Sequence, residues 1–400
     1  MAFLSGYKVL DLTDERGLIA GRMLADLGAD VVQVEPPTGS TARDRVSLYW
    51  DAYAANKRGV VADLGTDEGR ALIRELAAQA DFLIESAPAG AMAGYGLDWP
   101  DLRAVNPALI YVSITPFGRT GPKAGYADSD LIVWAAGGPL DPHRDGDRPP
   151  VRISLPQAYL HAGADAAAGA LLALHARHRS GKGQHVDVSA QASLGIATLG
   201  QNLAYAVGDA RPEWEAPVKR PDQSGSGSAT APSQKKWPCR DGIIEFHLGL
   251  GPASGGFTAA FVKWMVEEGA SDPSTLDIDW KTLPARIVAG DFTDADMQRV
   301  RDDVAAFLAG KTKEEVLQAA MARKLLCVPV YDTADVANSK QLAARGFFVE
   351  LGEGDRKRRL PGAYAKVSAD AFAITRPAPL LGEHTAEVLT DWKALEVAPS

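Results

Sequence analysis

The sequence predicts an α/β protein, with a large parallel-sheet domain and a smaller α+β domain. Three observations carry this. An early strand–helix–strand run is followed by further alternation, which builds parallel sheets with right-handed crossovers. Composition then changes in "RPDQSGSGSATAPSQ", residues 220–234, where Gly, Ser and Pro dominate as in a flexible linker. A chain of 400 residues is also too long for one simple core.

The elements follow in order. "YKVLDLT" is a buried strand, with Val9, Leu10 and Leu12 apolar. "GLIAGRMLADLGA" sets Leu18, Ile19, Met23, Leu24 and Leu27 at helical spacing, and Gly28 ends it. "DVVQVE" is a second strand closing at Glu35. "DEGRALIRELAAQA" is a helix leading into the strand "DFLIES". "ALIYVSI" and "QHVDVS" are further strands, and Gly181 and Gly183 in "SGKGQ" suit a helix C-cap and turn. Beyond the linker come the strand "GIIEFHL", a Gly-rich turn "GLGPASGG", helices near 257–268 and 297–309, and a helix from 312 to 323. "KQLAARGFF" begins a passage back, and "GEHTAEVLTDW" is a last helix rejoining the large domain. The expected domains are residues 1–205, completed by 340–400; a linker and Gly-rich loop at 206–230; and a small domain at 231–339.

Hydrophobic content of 46% and charged content of 23% are ordinary for a globular protein. A net charge of −9 argues against a nucleic-acid or anionic-membrane surface. Cys239 and Cys327 are the only cysteines, and they form no disulfide framework or zinc spacing. No segment reaches the roughly 18 apolar residues of a membrane helix, and the start lacks a signal-peptide pattern. The expected setting is a reducing cytoplasm.

The opening strand–helix–strand unit invites a nicotinamide reading, since Glu35 ends the second strand. The glycines are wrong for it: Gly17 and Gly21 are present, but no G-x-G-x-x-G lets a pyrophosphate approach. His161, His175, His178 and His185 crowd in sequence. His175 and His178, beside Arg177 and Arg179, read as a solvated basic helix end suited to the C-terminal dipole, and no metal site is expected. No G-x-S-x-G elbow, Walker loop or H-E-x-x-H occurs.

Together these segments resemble the class III CoA-transferase family, which includes formyl-CoA transferase, the carnitine CoA-transferases and alpha-methylacyl-CoA racemase. The resemblance runs almost end to end, through "GYKVLDLT", "LADLGADVVQVEPP", "NKRGVVADL", "ADFLIES", "NPALIYVSITPFGRTGP", "RHRSGKGQHVDVS", "PCRDG", "VPVYDTADV" and "PLLGEHTAEVL". It implies a large Rossmann-like domain, a small domain and an interlaced dimer, with each active site between the large domain of one subunit and the small domain of the other. It implies a CoA thioester as substrate, no covalently bound cofactor, and a catalytic Asp that attacks the thioester and passes through a mixed anhydride. The family spacing puts that Asp ten residues before Gly169, with Gly163 between, and there the sequence has Tyr159. A phenol with a pKa of about 10 is a weak nucleophile at neutral pH. Asp165 and Asp130 are the fallback carboxylates.

Other positions that the resemblance assigns to CoA also depart from the pattern. The first turn reads Asp14-Glu15-Arg16-Gly17-Leu18, with two acids where a polyphosphate would lie. Pro36 and Ser86 are CoA-site positions, the Arg expected after Ser86 falls on Gly94, and the racemase-type His falls on Ser129. The family's glycine-rich loop matches Ser224–Ser228, and Gly225 and Gly227 read either as a loop lent to a partner or as a solvated linker. The expectation is therefore a non-catalytic subunit, similar to the Asp-lacking subunit of the succinyl-CoA:benzylsuccinate enzymes, supporting a homologous catalytic subunit. The alternatives are a homodimer with a relocated carboxylate and a CoA-independent binding protein on the same scaffold.

Overall fold

The structure is a computed structural model that describes all residues except 45–47, 142–148, 209–234, 369–371 and 394–400. It forms two compact units. The larger lies within Met1–His143, Pro150–Ala210 and Ala343–Ser400, and the smaller takes in the described residues of Arg211–Leu342.

The larger unit is built on six parallel strands: β1 Lys8–Leu12, β2 Asp30–Glu35, β3 Arg58–Val61, β4 Phe82–Glu85, β5 Ile110–Thr115 and β6 His185–Ser189, in the order β3-β2-β1-β4-β5-β6. Every residue of β4 and β5 is buried. Helices cover both faces, so these strands read as mostly apolar runs rather than as alternation.

Helix α1, Leu18–Asp26, packs on β1 so closely that a Cβ at Gly21 would lie 1.9 Å from Asp11 Oδ2. Gly21 thus serves helix–strand packing, and the nicotinamide reading finds no support from Glu35 either. That buried carboxylate takes Arg43 Nε and Nη2, both at 2.7 Å.

Helix α2, Asp67–Gln79, is N-capped by Thr66. The long helix α3, Ala158–Ser180, buries Ala158, Ala162, Ala166 and Ala170 at four-residue spacing. Small residues on this ridge let it lie against α1 and the sheet. It ends at Gly181, whose φ of 68° is the left-handed value that glycine adopts without strain. The basic end of α3 is not simply solvated, as its charge pattern had suggested. Arg177 pairs with Asp81 at 2.7 Å and donates to Ala108 O, while His178 meets the Tyr7 hydroxyl at 2.9 Å.

In the smaller unit, strands β7 Lys236–Cys239, β8 Gly242–Phe246 and β9 Cys327–Val330 form an antiparallel sheet. Helices α4 Gly251–Glu267, α5 Asp294–Ala309 and α6 Lys313–Arg323 accompany it. The stretch "GLGPASGG" corrects the expected turn, because its residues from Gly251 onward form the first turns of α4. A Cβ at Gly255 would lie 2.5 Å from Trp280 O, so these glycines permit close packing instead of chain reversal.

The chain then returns to the larger unit. The hairpin of β10 Phe348–Leu351 and β11 Arg358–Pro361 precedes helix α7, Thr385–Lys393. Arg58 on β3 holds α7 through Glu387 at 3.1 Å and Asp391 at 2.8 Å. Asn56, at a φ of 66°, donates to Ala373 O and accepts from Thr375 N. No described helix is long and apolar enough to cross a membrane.

Candidate functional site

Strand order reverses between β2 and β4 around β1, and such switch points put a crevice beyond the carboxyl ends of the strands. Two chain segments meet there. The turn after β1 carries Asp14, Glu15 and Arg16, and Ser86 follows β4. Ser86 Oγ accepts from Asp14 N at 3.0 Å and donates to Asp14 Oδ1 at 2.8 Å, which ties the two strand ends together.

Arg16 folds back on Asp14, with Nε at 3.0 Å and Nη2 at 2.6 Å from its oxygens. Burial tends to raise the Asp14 carboxyl. The Arg16 hydrogen bonds and charge, with the Ser86 hydroxyl, outweigh it and hold the group below its ordinary value. Glu15 accepts the Thr41 hydroxyl at 2.5 Å. The two acids of this turn are therefore not a free negative pair: Asp14 carries its own guanidinium.

Asp14, Glu15, Arg16 and Thr41 line a cleft of about 610 Å³ together with Asp128, Ser129, Asp130, Arg152 and Tyr159. Asp130 opens a short helix, Asp130–Ala136, which Ser129 caps through Ile132 N at 3.3 Å. The Asp130 carboxylate caps α3, accepting from Gln157 N and Ala158 N at 2.8 Å each, and it faces Arg152 at 3.4 Å. Replacing Asp130 by Ala should remove both hydrogen bonds and cost about 1–2 kcal/mol of stability. Urea unfolding at fixed protein concentration measures this, and an unchanged midpoint would show that the cap is dispensable.

Tyr159 lies in the first turn of α3, and its hydroxyl donates to Asp128 Oδ2. Arg16 Nη1 stands 3.7 Å from Asp128 Oδ1. Burial pushes the Tyr159 phenol well above its ordinary value. The hydrogen bond to Asp128 and that residue's charge add to this, against a smaller opposing effect of Arg16. The phenol keeps its proton at neutral pH and donates it in a hydrogen bond.

The geometry separates the residues singled out in the sequence. Tyr159, Asp14, Glu15 and Asp130 line one cleft, and Ser86 braces its floor. Asp165 is exposed on α3 and is not among the residues that line the cleft. Asp130 lines it but is engaged as a helix cap. Pro36 and Gly94 are exposed and line no part of it. Gly225 and Gly227 fall outside the described residues. The four histidines do not converge, and among the described residues no group of His, Cys, Asp or Glu is arranged for a metal ion. His185 instead meets Ser113 Oγ at 3.0 Å. Sequence reasoning passed over Asp128, Arg16 and Arg152. The one available signal was the density of acids in "ADSD", read there only for its last two residues.

The model of CoA-transferase family III matches residues 4–385. The chain belongs to this family. Among relatives of class III, succinyl-CoA:(R)-benzylsuccinate CoA-transferase subunit BbsE of Thauera aromatica is 33% identical, over 97% of this chain and 93% of its own. Succinate–glutarate CoA-transferase of Agrobacterium fabrum is 30% identical over 98% and 96%. A CaiB/BaiF family protein from Brucella suis superimposes with a TM-score of 0.79 at 27% identity, covering 98% of this chain and 99% of that one. The class III fold, a large parallel-sheet unit with a smaller antiparallel one, is thus shared nearly end to end.

Proposed function

We propose that this chain is a subunit of a class III CoA-transferase that moves CoA from a donor such as succinyl-CoA to a carboxylic acid. In this reading a homologous partner supplies the attacking Asp, and this chain is structural and supporting. One observation carries it. At the position where the family resemblance expects a carboxylate, a protonated phenol donates to Asp128. Such a group cannot open a thioester at neutral pH.

Two further points support the reading. The Thauera relative is named as a subunit, and several relatives are named for transfer from succinyl-CoA. Ile196, Leu199, Leu203 and Val207 are also exposed at helical spacing, as expected of a face that a second subunit covers. An interlaced assembly of two homologous chains would bury such a face in an interface of roughly 2,000 Å² or more.

The test compares the chain alone, a homologous Asp-bearing subunit alone, and both together. CoA transfer from succinyl-CoA to candidate acids is the readout. The expected result is no transfer by this chain alone and transfer by the mixture, with both chains in one complex by size exclusion and light scattering. Robust transfer by this chain alone would defeat the supporting role. A well-folded monomer that ignores both partner and CoA would favour a CoA-independent binding protein.

A further inference from the structure

Four carboxylates line the cleft, and three are committed. Asp14 is gripped by Arg16 and Ser86, Glu15 holds Thr41, and Asp130 caps α3. Asp128 differs. Its Oδ2 receives the Tyr159 hydroxyl, and Arg16 stands off at 3.7 Å from its Oδ1. Its side chain is 19% exposed on the cleft wall, within reach of a solute.

A carboxylate beside a guanidinium, unclaimed by backbone donors, can attack a thioester. Here a phenol holds one of its oxygens. A hydrogen bond donated to the attacking oxygen lowers its basicity and must be broken before that oxygen can reach a carbonyl. We propose that Asp128 is a latent acyl-accepting carboxylate, kept silent by the hydrogen bond from Tyr159.

The reaction that the phenol suppresses balances as follows. An Asp128 oxygen adds to the thioester carbonyl, the C–S bond breaks, and the thiolate leaves and takes a proton from water. The product is a mixed acyl–aspartyl anhydride. Hydroxylamine attacks its aspartyl carbonyl, giving an aspartyl hydroxamate and the free acid. Loss of a hydrogen bond to a charged group corresponds to about a 10- to 100-fold change. The proposal needs neither the partner subunit nor an intact CoA site, so it stands apart from the supporting-subunit reading.

The experiment uses the full-length chain in the assembly in which it purifies. The probe is succinyl-N-acetylcysteamine, a small thioester that requires no CoA site, with hydroxylamine as trap. Peptide mass spectrometry measures hydroxamate at Asp128. Tyr159→Phe should label at least about 10-fold more than wild type, and Tyr159→Phe combined with Asp128→Asn should not label. No gain in Tyr159→Phe, equal labelling in wild type, or labelling that survives Asp128→Asn would overturn the proposal. Should Tyr159→Phe fail to fold, tyrosinate absorbance of wild type and Asp128→Asn is titrated with base. One phenol should ionise at lower pH once its acceptor carboxylate is gone, and superimposable curves would overturn the proposal. A negative outcome leaves the assembly test untouched, because that test reads transfer by the complex.

Discussion

Replacing Asp11 with Ala should destabilise the larger unit by about 3–5 kcal/mol, the range for stranding one member of a buried ion pair. Asp11 and Lys57 are both 0% exposed and lie 2.7 Å apart. Lys57 Nζ also donates to Leu18 O and Gln33 Oε1, each at 2.8 Å. Without Asp11 the ammonium keeps only neutral acceptors in a site closed to water. The pair also shapes the cleft. Lys57 holds the first carbonyl of α1, and Asp11 Oδ1 receives Thr13 N at 3.0 Å and its hydroxyl at 2.7 Å, one residue before Asp14. Urea unfolding at fixed protein concentration gives the loss. The double variant Asp11→Ala with Lys57→Met should recover part of it, since no charge is then stranded. A loss below about 1 kcal/mol in the single variant would mean that the ammonium finds water, and the argument would fail.

The second large effect is expected at Gly183, between α3 and β6. A Cβ there would lie 1.8 Å from Leu109 O and 2.5 Å from Leu109 C, so backbone must move to admit it. Gly183 N also donates to Pro107 O at 2.9 Å, and Tyr111 N to Gln184 O at 2.9 Å. Alanine would pry apart the entry of β5 and β6. Overpacking of this kind costs about 3 kcal/mol, or roughly 6–12 °C in Tm for a unit of this size. Differential scanning calorimetry of Gly183→Ala measures the shift. An unchanged Tm would show that the two strand entries separate freely.

Strands β1, β2, β4 and β5 were legible because both faces of the sheet are covered, so burial appears in the sequence as mostly apolar runs without strict alternation. The end of helix α3 was legible through Gly181. The start of α4 was not, because Gly251, Gly255 and Gly256 carry the composition of a turn. Only the approach of the Trp280 backbone makes a helix there sensible. The cleft was half legible. Asp14 and Tyr159 stood out against a pattern, but a pattern does not say what a side chain touches. Asp14 and Arg16 are two residues apart, whereas Tyr159 and Asp128 are separated by 31 residues and meet only through the tertiary fold. The role of Asp130 as a cap was hidden for the same reason, since its partners Gln157 and Ala158 lie 27 and 28 residues away.

The returning C-terminal segment has a consequence for biosynthesis. Asn56, Arg58 and Trp50 reach partners that are synthesised more than 300 residues later, at Ala373, Glu387 and Pro379. A growing chain that has delivered all six sheet strands still lacks these partners. The nearly continuous smaller unit has every described strand and helix of its own before α7 is made. The larger unit therefore closes after the smaller one has been made, although its first strand emerges first. Until then the edge of the sheet at β3 stays uncovered, and in that interval the nascent chain is most exposed to mispairing.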